Sequence, residues 1–120
     1  MVAAPTDEKF STQLAEMNIL YDIPLGEHGQ IQEFLQEQDF LYPILKEAKN
    51  QIVEVFGENV VVCLELFHDA EEGWDNLFIV IKTRLDADEA MRLEDKLVHN
   101  WFAQRLQDAG GKLNIIEEPL

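Results

Sequence analysis

Apolar residues recur at helical spacing in the first half of the chain and predict two helices. In the shorter helix, from Gln30 to Gln38, Ile31, Phe34 and Leu35 lie three and four residues apart. The longer helix has seven apolar positions on one face and polar residues over much of the rest. These apolar positions are Leu41, Ile44, Leu45, Ala48, Ile52, Val55 and Phe56.

Pro43 restricts where the longer helix can begin. A proline is tolerated in the first turn of a helix but kinks or breaks its interior. Either Asp39 caps a new helix that has Pro43 in its first turn, or one long helix bends near Tyr42. We favour a break at about Asp39, and we expect Gly57 to end the helix.

Two apolar runs of strand length follow, from Asn59 to Phe67 and from Leu77 to Thr83. The polar segment between them, His68 to Asn76, contains Gly73, so we expect an antiparallel hairpin with a long acidic loop. From Val60 to Leu64 and from Leu77 to Ile81 there is almost no alternation between apolar and polar residues, which is typical of strands covered on both faces. Helices can cover one face of the hairpin. The other face then needs the N-terminal segment or a second subunit.

The last third of the chain predicts a helix followed by a strand. Asp86 is placed to cap the helix, and Glu89 three residues later completes an approximate capping box. Gly110-Gly111 ends this helix, and Lys112 to Glu117 forms the strand. The apolar stripe of the helix consists of Ala90, Leu93, Leu97 and Trp101, widened by Val98, Phe102 and Leu106.

These elements, in the order α-α-β-β-α-β, predict an α+β fold. We expect a small three-stranded sheet with the two main helices packed on one face. If the last strand pairs parallel to the second, the connecting helix makes a crossover that should be right-handed.

The chain is predicted to have an N-terminal arm, residues 1–27, and a single α+β domain, residues 28–120. We expect Met1 to Thr12 to be loosely held, so that the arm is flexible in part. The stretch from Leu14 to Leu25 is apolar, and we expect it to dock either on its own domain or on a neighbouring copy.

Charge is distributed unevenly along the chain. There are 24 Asp and Glu residues against 9 Lys and Arg, which gives a net charge of −15. No Lys or Arg occurs between Lys9 and Lys46 or between Lys49 and Lys82. We expect no direct binding to nucleic acid or to a membrane, because both would repel such a surface. A basic protein would be attracted; the alternative is that the charge serves solubility alone.

Cys63 is the only cysteine, so the chain cannot form an internal disulfide. It lies in an apolar run, where a thiol usually acts as a small hydrophobic group. The N-terminal residues lack the pattern of a secretory signal, and no apolar run is long enough to cross a bilayer. We therefore expect a cytoplasmic protein in a reducing environment.

The hairpin loop is the most chemically suggestive segment. Asp69, Glu71 and Asp75 have the one-three-seven spacing of a calcium loop, but Gly73 falls at position five and no Glu occupies position twelve. We therefore expect no metal in the loop. Trp74 is a large apolar ring in an acidic setting, and such rings anchor interfaces; the alternative is a solvated loop. The candidate partner contacts are Trp74, Asp69, Glu71, Glu72 and Asp75.

Candidate catalytic residues are few. Cys63 and His68 are five residues apart, so a strand places them on opposite faces, which disfavours nucleophile activation. Neither His28 nor His99 has a second ligand at metal-binding spacing. Ser11 lacks a glycine-flanked elbow, and no glycine loop is arranged to hold a phosphate. We expect no catalytic residue, no metal and no cofactor.

Several segments from Phe40 onward carry a resemblance. They are Phe40-Leu41-Tyr42-Pro43-Ile44-Leu45-Lys46-Glu47-Ala48, Leu64-Glu65-Leu66, Leu77-Phe78-Ile79-Val80-Ile81-Lys82-Thr83, Asp88-Glu89-Ala90 and Trp101. In these segments the chain resembles a family of small uncharacterised bacterial proteins. The resemblance extends from Phe40 to about Glu117 and leaves Met1 to Gln38 outside. It implies a fold and brings neither an activity nor functional residues.

The sequence therefore predicts a non-enzymatic, acidic protein-interaction module that self-associates as a homo-oligomer or neutralises a basic partner. The two-sided apolar strands and the apolar arm favour association. One alternative is a nucleic-acid mimic that inhibits a DNA-binding protein, because the stretches without Lys or Arg are long. Another is a small ligand-binding domain or enzyme with a pocket between sheet and helices.

Overall fold

The computed structural model describes residues 15–120, apart from the side chains of Leu25 and Leu106. The predicted α+β fold with a three-stranded sheet is confirmed, and the elements follow the predicted order. A helical segment at residues 15–20 comes first, and the expected loose segment Met1 to Thr12 lies outside the described residues. The helices are α1 (His28–Glu37), α2 (Leu41–Phe56), α3 (Ala87–Leu97) and α4 (Ala103–Ala109), and the strands are β1 (Val61–Asp69), β2 (Trp74–Thr83) and β3 (Leu113–Pro119).

The chain breaks between α1 and α2, as Pro43 required. Helix α1 ends at Glu37, and Pro43 is the third residue of α2, within its first turn. The expected cap by Asp39 is wrong. Phe40 precedes α2 with a helical backbone (φ −62°, ψ −13°), and no side chain caps α2, because a capping residue needs a non-helical backbone at that position. Gly57 ends α2 with φ +83°, as expected.

Strand β2 is the centre of the sheet. It pairs antiparallel with β1 and parallel with β3, so the helices between β2 and β3 form a crossover connection. The hairpin loop is shorter than predicted, because strand pairing continues as far as Asp69 and Trp74. The loop is therefore residues 70–73 and not His68 to Asn76. Gly73 closes it with φ +72°, a conformation that glycine adopts without steric cost.

One face of the sheet, here called the inner face, packs against the helices. Its buried residues form a single apolar cluster with residues of α1, α2 and α3. Each fully buried aliphatic side chain contributes about 1.5–3 kcal/mol relative to its exposed state, so this layer is the main source of stability. None of the helices described is long and apolar enough to span a membrane. The buried inner-face residues are Val62, Leu64, Leu77, Ile79, Ile81, Leu113 and Ile115.

The described part of the N-terminal segment packs on its own domain. Met17 and Tyr21 are buried members of the apolar cluster. Asp22 forms a one-residue parallel bridge to Cys63 on the edge of β1 that faces away from β2, through backbone hydrogen bonds of 2.8 and 2.9 Å. Residues 15–24 therefore pack on the helical layer and on the edge of β1.

The helix after β2 is divided, where one continuous helix was expected. A wide π turn, Val98–Phe102, separates α3 from α4. Trp101 and Phe102 are both buried, as predicted. In a regular helix the side chains of consecutive residues point about 100° apart. The wider π turn reduces this angle, so that the rings of Trp101 and Phe102 both face the core. Asp86 caps α3 by accepting from the Glu89 amide at 2.9 Å. The Glu89 carboxylate accepts from Arg92, one turn further along, and not from the Asp86 amide as in a capping box.

Candidate partner-binding site

The second face of the sheet, here called the outer face, carries the side chains that alternate with those of the inner face. Cys63 lies opposite Val80, and Val80 lies beside Ile116, so an apolar row crosses all three strands. Cys63 and Val80 are buried but lie outside the cluster formed by the helices and the inner face. The apolar cluster of the helices and the inner face therefore does not include these two residues. The other outer-face residues are Val61, Glu65, Phe67, Asp69, Trp74, Asn76, Phe78, Lys82, Asn114 and Glu118.

Three aromatic residues lie together at the hairpin end of the outer face. Phe67 is 65% exposed and Trp74 is 43% exposed, which are large fractions for such side chains. Phe67 contacts Phe78 across β1 and β2, with ring centroids 5.6 Å apart and ring planes tilted by 56°. Together with Trp74, these rings line a pocket of about 370 Å³, here called the aromatic pocket.

Two amides supply the polar part of the aromatic pocket. Asn76 lies on the central strand and is only 6% exposed. Nδ2 of Asn114, on β3, donates to Oδ1 of Asn76 at 3.3 Å. Burying an amide costs free energy unless the amide is hydrogen-bonded. The bond from Asn114 therefore allows Asn76 to be buried beside the apolar row. Asn114 retains its own carbonyl oxygen as an acceptor.

Asp69 and Glu71 add carboxylates to the lining of the pocket. Oδ1 of Asp69 accepts from the amides of Glu71 and Glu72 at 2.9 and 3.0 Å, which fixes the loop conformation. None of the ion pairs found in residues 15–120 involves Asp69 or Glu71. No Lys or Arg is among the described residues that line the pocket. The site therefore combines aromatic walls with two carboxylates that form no ion pair with a Lys or Arg of residues 15–120.

Three of the five predicted partner contacts meet at this pocket. Asp69, Glu71 and Trp74 line it, and Glu72 is exposed beside them. Asp75 lies on the inner side of the hairpin, where its Oδ1 is 2.5 Å from Nδ1 of His68. The strand pairing at the hairpin end is what separates Asp75 from the other four.

Six residues that line the pocket were not among the predicted contacts: Phe67, Phe78, Asn76, Asn114, His68 and Ala70. Strand alternation could have identified the first three. Residues 67, 74, 76 and 78 lie on one face of the sheet when both strands extend as far as the short loop. Asn114 is 38 residues from Asn76 in sequence. Alternation within one strand does not fix its register against a distant strand, so no sequence signal identified Asn114.

Comparisons with known proteins do not extend this description. No family model, no curated protein and no solved structure matches the chain. The resemblance of residues 40–117 to a family of small bacterial proteins stays a prediction, and the site is interpreted from its own residues.

The described residues form no catalytic arrangement around Cys63. Its side chain lies on the outer face and that of His68 on the inner face, as the spacing predicted. Burial raises the pKa of the Cys63 thiol, which keeps it protonated and slow to react. Within the range described, no three His, Cys, Asp or Glu side chains are grouped to hold a metal ion. The Asp69 carboxylate, at the first position of the calcium-like spacing, is bonded to its own loop.

Proposed function

We propose that this protein is a non-enzymatic interaction module that binds a basic protein partner through the outer face. The observation that carries the proposal is the pair of exposed rings, Phe67 and Trp74, at the hairpin end of the outer face, beside an apolar row that is not part of the helical cluster. Exposed apolar patches with a polar border are typical of protein-binding surfaces. The single cysteine fits a reducing compartment, so the proposal places the module in the cytoplasm.

The composition of the outer face supports a protein as the ligand. Exposed aromatic side chains such as Phe67 and Trp74 are frequent anchors at interface centres. Glu65, Lys82 and Glu118 add charges to the same face. An apolar centre with a polar rim is the usual anatomy of a protein interface.

The charge of the chain supports a basic partner. The net charge is −15, and the segment from Lys49 to Lys82, which includes most of the hairpin, contains no Lys or Arg between its ends. Two copies brought together on this face would repel at low ionic strength, whereas a basic protein would be attracted and steered. A basic partner therefore suits the outer face better than a second copy does.

Affinity purification from the native host, with matched variants, tests this proposal. The outer-face variant is Phe67→Ser with Trp74→Ser. The control is Ile19→Ser with Met91→Ser, because these side chains are 83% and 56% exposed but lie on the N-terminal segment and on α3. We expect one or more basic proteins to bind wild type and control and to be lost from the outer-face variant.

The captured protein is then purified, and its affinity is measured by calorimetry at low and high ionic strength. We expect affinity to fall as salt rises, because the attraction is partly electrostatic. A partner that binds wild type and outer-face variant equally would contradict the proposal. So would binding that is confined to an acidic partner.

The free edge of β3 favours a second candidate function, self-association. The Leu77 amide donates to the Lys112 carbonyl at 2.9 Å, so alternate residues of β3 bond to β2. The residues between them direct their backbone groups to the other side, where no strand of residues 15–120 pairs with them. Two copies paired antiparallel about Ile115 would place Lys112 of each opposite Glu118 of the other, and such opposite charges stabilise strand pairs.

Light scattering with a Glu117→Pro variant tests this second candidate. Residue 117 directs its N–H to the free edge, so proline there keeps the bonds to β2 and removes one donor for a second copy. If β3 edges pair, wild type should form a dimer and the variant should be a monomer. A wild-type monomer at all concentrations removes this candidate and leaves the basic-partner proposal in place.

A further inference from the structure

We propose that the aromatic pocket binds the guanidinium group of an arginine side chain supplied by the basic partner. This inference rests on the proposed function and names the group that the outer face recognises. It joins three observations: the rings of Phe67, Trp74 and Phe78, the carboxylates of Asp69 and Glu71, and a volume of about 370 Å³.

The rings supply the first part of the recognition. The faces of aromatic rings attract a cation within about 6 Å of the ring centroid, and the attraction is strongest for tryptophan. Phe67 and Phe78 meet at a tilt of 56°, so their faces are not stacked against each other. Trp74 remains 43% exposed. The pocket thus offers ring surface that the protein's own side chains do not fully cover.

The carboxylates supply the second part. Asp69 uses Oδ1 to hold the loop amides, which positions the carboxylate without neutralising its charge. Glu71 is exposed, and neither residue forms an ion pair with a Lys or Arg of residues 15–120. Lys112 precedes Asn114 by two residues but is not part of the lining. An arginine from a partner would provide the missing positive charge.

Arginine suits this site better than lysine for a physical reason. Its guanidinium is planar, stacks on aromatic faces, is weakly hydrated and donates several hydrogen bonds in fixed directions. The carbonyl oxygen of Asn114 and the carboxylates of Asp69 and Glu71 are acceptors around the rings. A lysine ammonium is more strongly hydrated and can use the charges but not the stacking.

Nuclear magnetic resonance with capped amino acids tests the pocket without the partner. The probe is N-acetyl-arginine methylamide, and the neutral analogue is N-acetyl-citrulline methylamide, which has nearly the same shape. The reporters are the two indole N–H signals. Trp101 is the internal control, because it is 6% exposed and donates to Glu47. We expect arginine to shift the Trp74 signal in a saturable way, citrulline to shift it far less, and Trp101 to stay unchanged.

Two exposed-site variants separate the two parts of the recognition. Phe67→Leu keeps an apolar side chain but removes a ring, and Glu71→Gln removes one lining charge. Each is expected to weaken arginine binding by about twofold to fivefold, the scale of one exposed cation–π contact or partly exposed charge. Glu72→Gln is the matched control, since Glu72 lies next to Glu71 but does not line the pocket, and it should weaken binding less.

The inference is overturned if arginine and citrulline shift Trp74 equally, or if arginine gives no saturable shift. Equal weakening by Glu71→Gln and Glu72→Gln would also overturn it, because the attraction would then come from diffuse charge. Failure here is distinguishable from failure of the proposed function. Loss of the partner from the Phe67→Ser, Trp74→Ser variant would still show an outer-face interface that does not depend on an arginine pocket.

Discussion

Nε1 of Trp101 donates a hydrogen bond to Oε1 of Glu47, and this bond joins the π turn to α2. Arg105 of α4 reaches the same oxygen, with Nε at 3.0 Å and Nη2 at 2.9 Å. The Glu47 carboxylate on α2 therefore binds Trp101 in the π turn and Arg105 in α4. The hydrogen bond from Trp101, followed by the contacts with Arg105, lowers the pKa of Glu47.

Replacing Glu47 with Gln should destabilise the fold at neutral pH. We expect a loss of up to about 1 kcal/mol in the free energy of unfolding, because the ion pair is partly exposed and screened. The folded-state pKa of Glu47 is lowered, so its contribution is full above the ordinary glutamate pKa and is lost as pH falls through the lowered value. Urea unfolding should therefore show a difference between wild type and variant that shrinks in acid.

Glu54→Gln is the control for this experiment, because Glu54 is an exposed glutamate on the same helix. It should not destabilise the fold at neutral pH. If Glu54→Gln and Glu47→Gln have the same effect, the contacts of Glu47 with Trp101 and Arg105 contribute nothing specific.

Replacing Glu94 on α3 should have the opposite effect on stability. Burial, followed by the charges of Glu117 and Asp95, raises its pKa. Ionised Glu94 is thus disfavoured in the folded protein, and Glu94→Gln should stabilise it by about 0.5 kcal/mol at neutral pH, since the group is partly exposed. The gain should disappear as pH falls through the raised pKa and below the ordinary one, where Glu94 of the wild type is protonated in both states. Destabilisation by Glu94→Gln in urea unfolding at neutral pH would contradict this account of Glu94.

Both tyrosines should resist ionisation in the folded protein. Burial raises the pKa of Tyr21, whose hydroxyl donates to the Leu45 carbonyl at 2.6 Å. Burial, followed by the charge of Asp39, raises the pKa of Tyr42 to about 12. Unfolded tyrosine ionises at about pH 10, so stability should fall as pH rises above that value.

An alkaline titration followed by tyrosinate absorbance and circular dichroism checks this prediction. The absorbance should rise together with the loss of helical signal. If one tyrosine ionises at its ordinary pKa while the helical signal is intact, Tyr21 or Tyr42 is not buried as described.

Cys63 should react slowly with thiol reagents in the native protein. Its side chain is 7% exposed on the outer face, and burial raises its pKa, so little reactive thiolate is present. The rate of reaction with a chromogenic disulfide should rise by orders of magnitude in urea. Rapid reaction without denaturant would show that the apolar row around Val80 opens readily.

Much of the fold followed from local physical chemistry. The apolar spacing from Leu41 to Phe56 and the restriction at Pro43 placed α2, and Asp86 marked the start of α3. The π turn was not predictable, because the adjacent rings of Trp101 and Phe102 fit a continuous stripe as well as a widened one. The Asp39 cap failed since the chain enters α2 through a helical turn, which composition alone does not reveal.

The candidate site was predictable only in part. Trp74 and the loop carboxylates stood out by their chemistry, whereas Phe67 and Phe78 looked like ordinary residues of apolar strands. Their exposure depends on which face the helices cover, and that is set by tertiary packing. Asn114 joins the site through the parallel pairing of β3 with β2, a long-range contact that local patterns do not determine.

The position at which a basic ligand binds tests the outer-face proposal most directly. An isotope-labelled sample is titrated with an arginine-rich peptide at an ionic strength high enough to screen diffuse attraction to the acidic helices. We expect saturable amide shifts in β1 and β2 and at the Trp74 indole, with α2 and the Trp101 indole unchanged. Shifts centred on α1 and α2, with the outer-face strands unchanged, would contradict the proposal that the outer face is the binding surface.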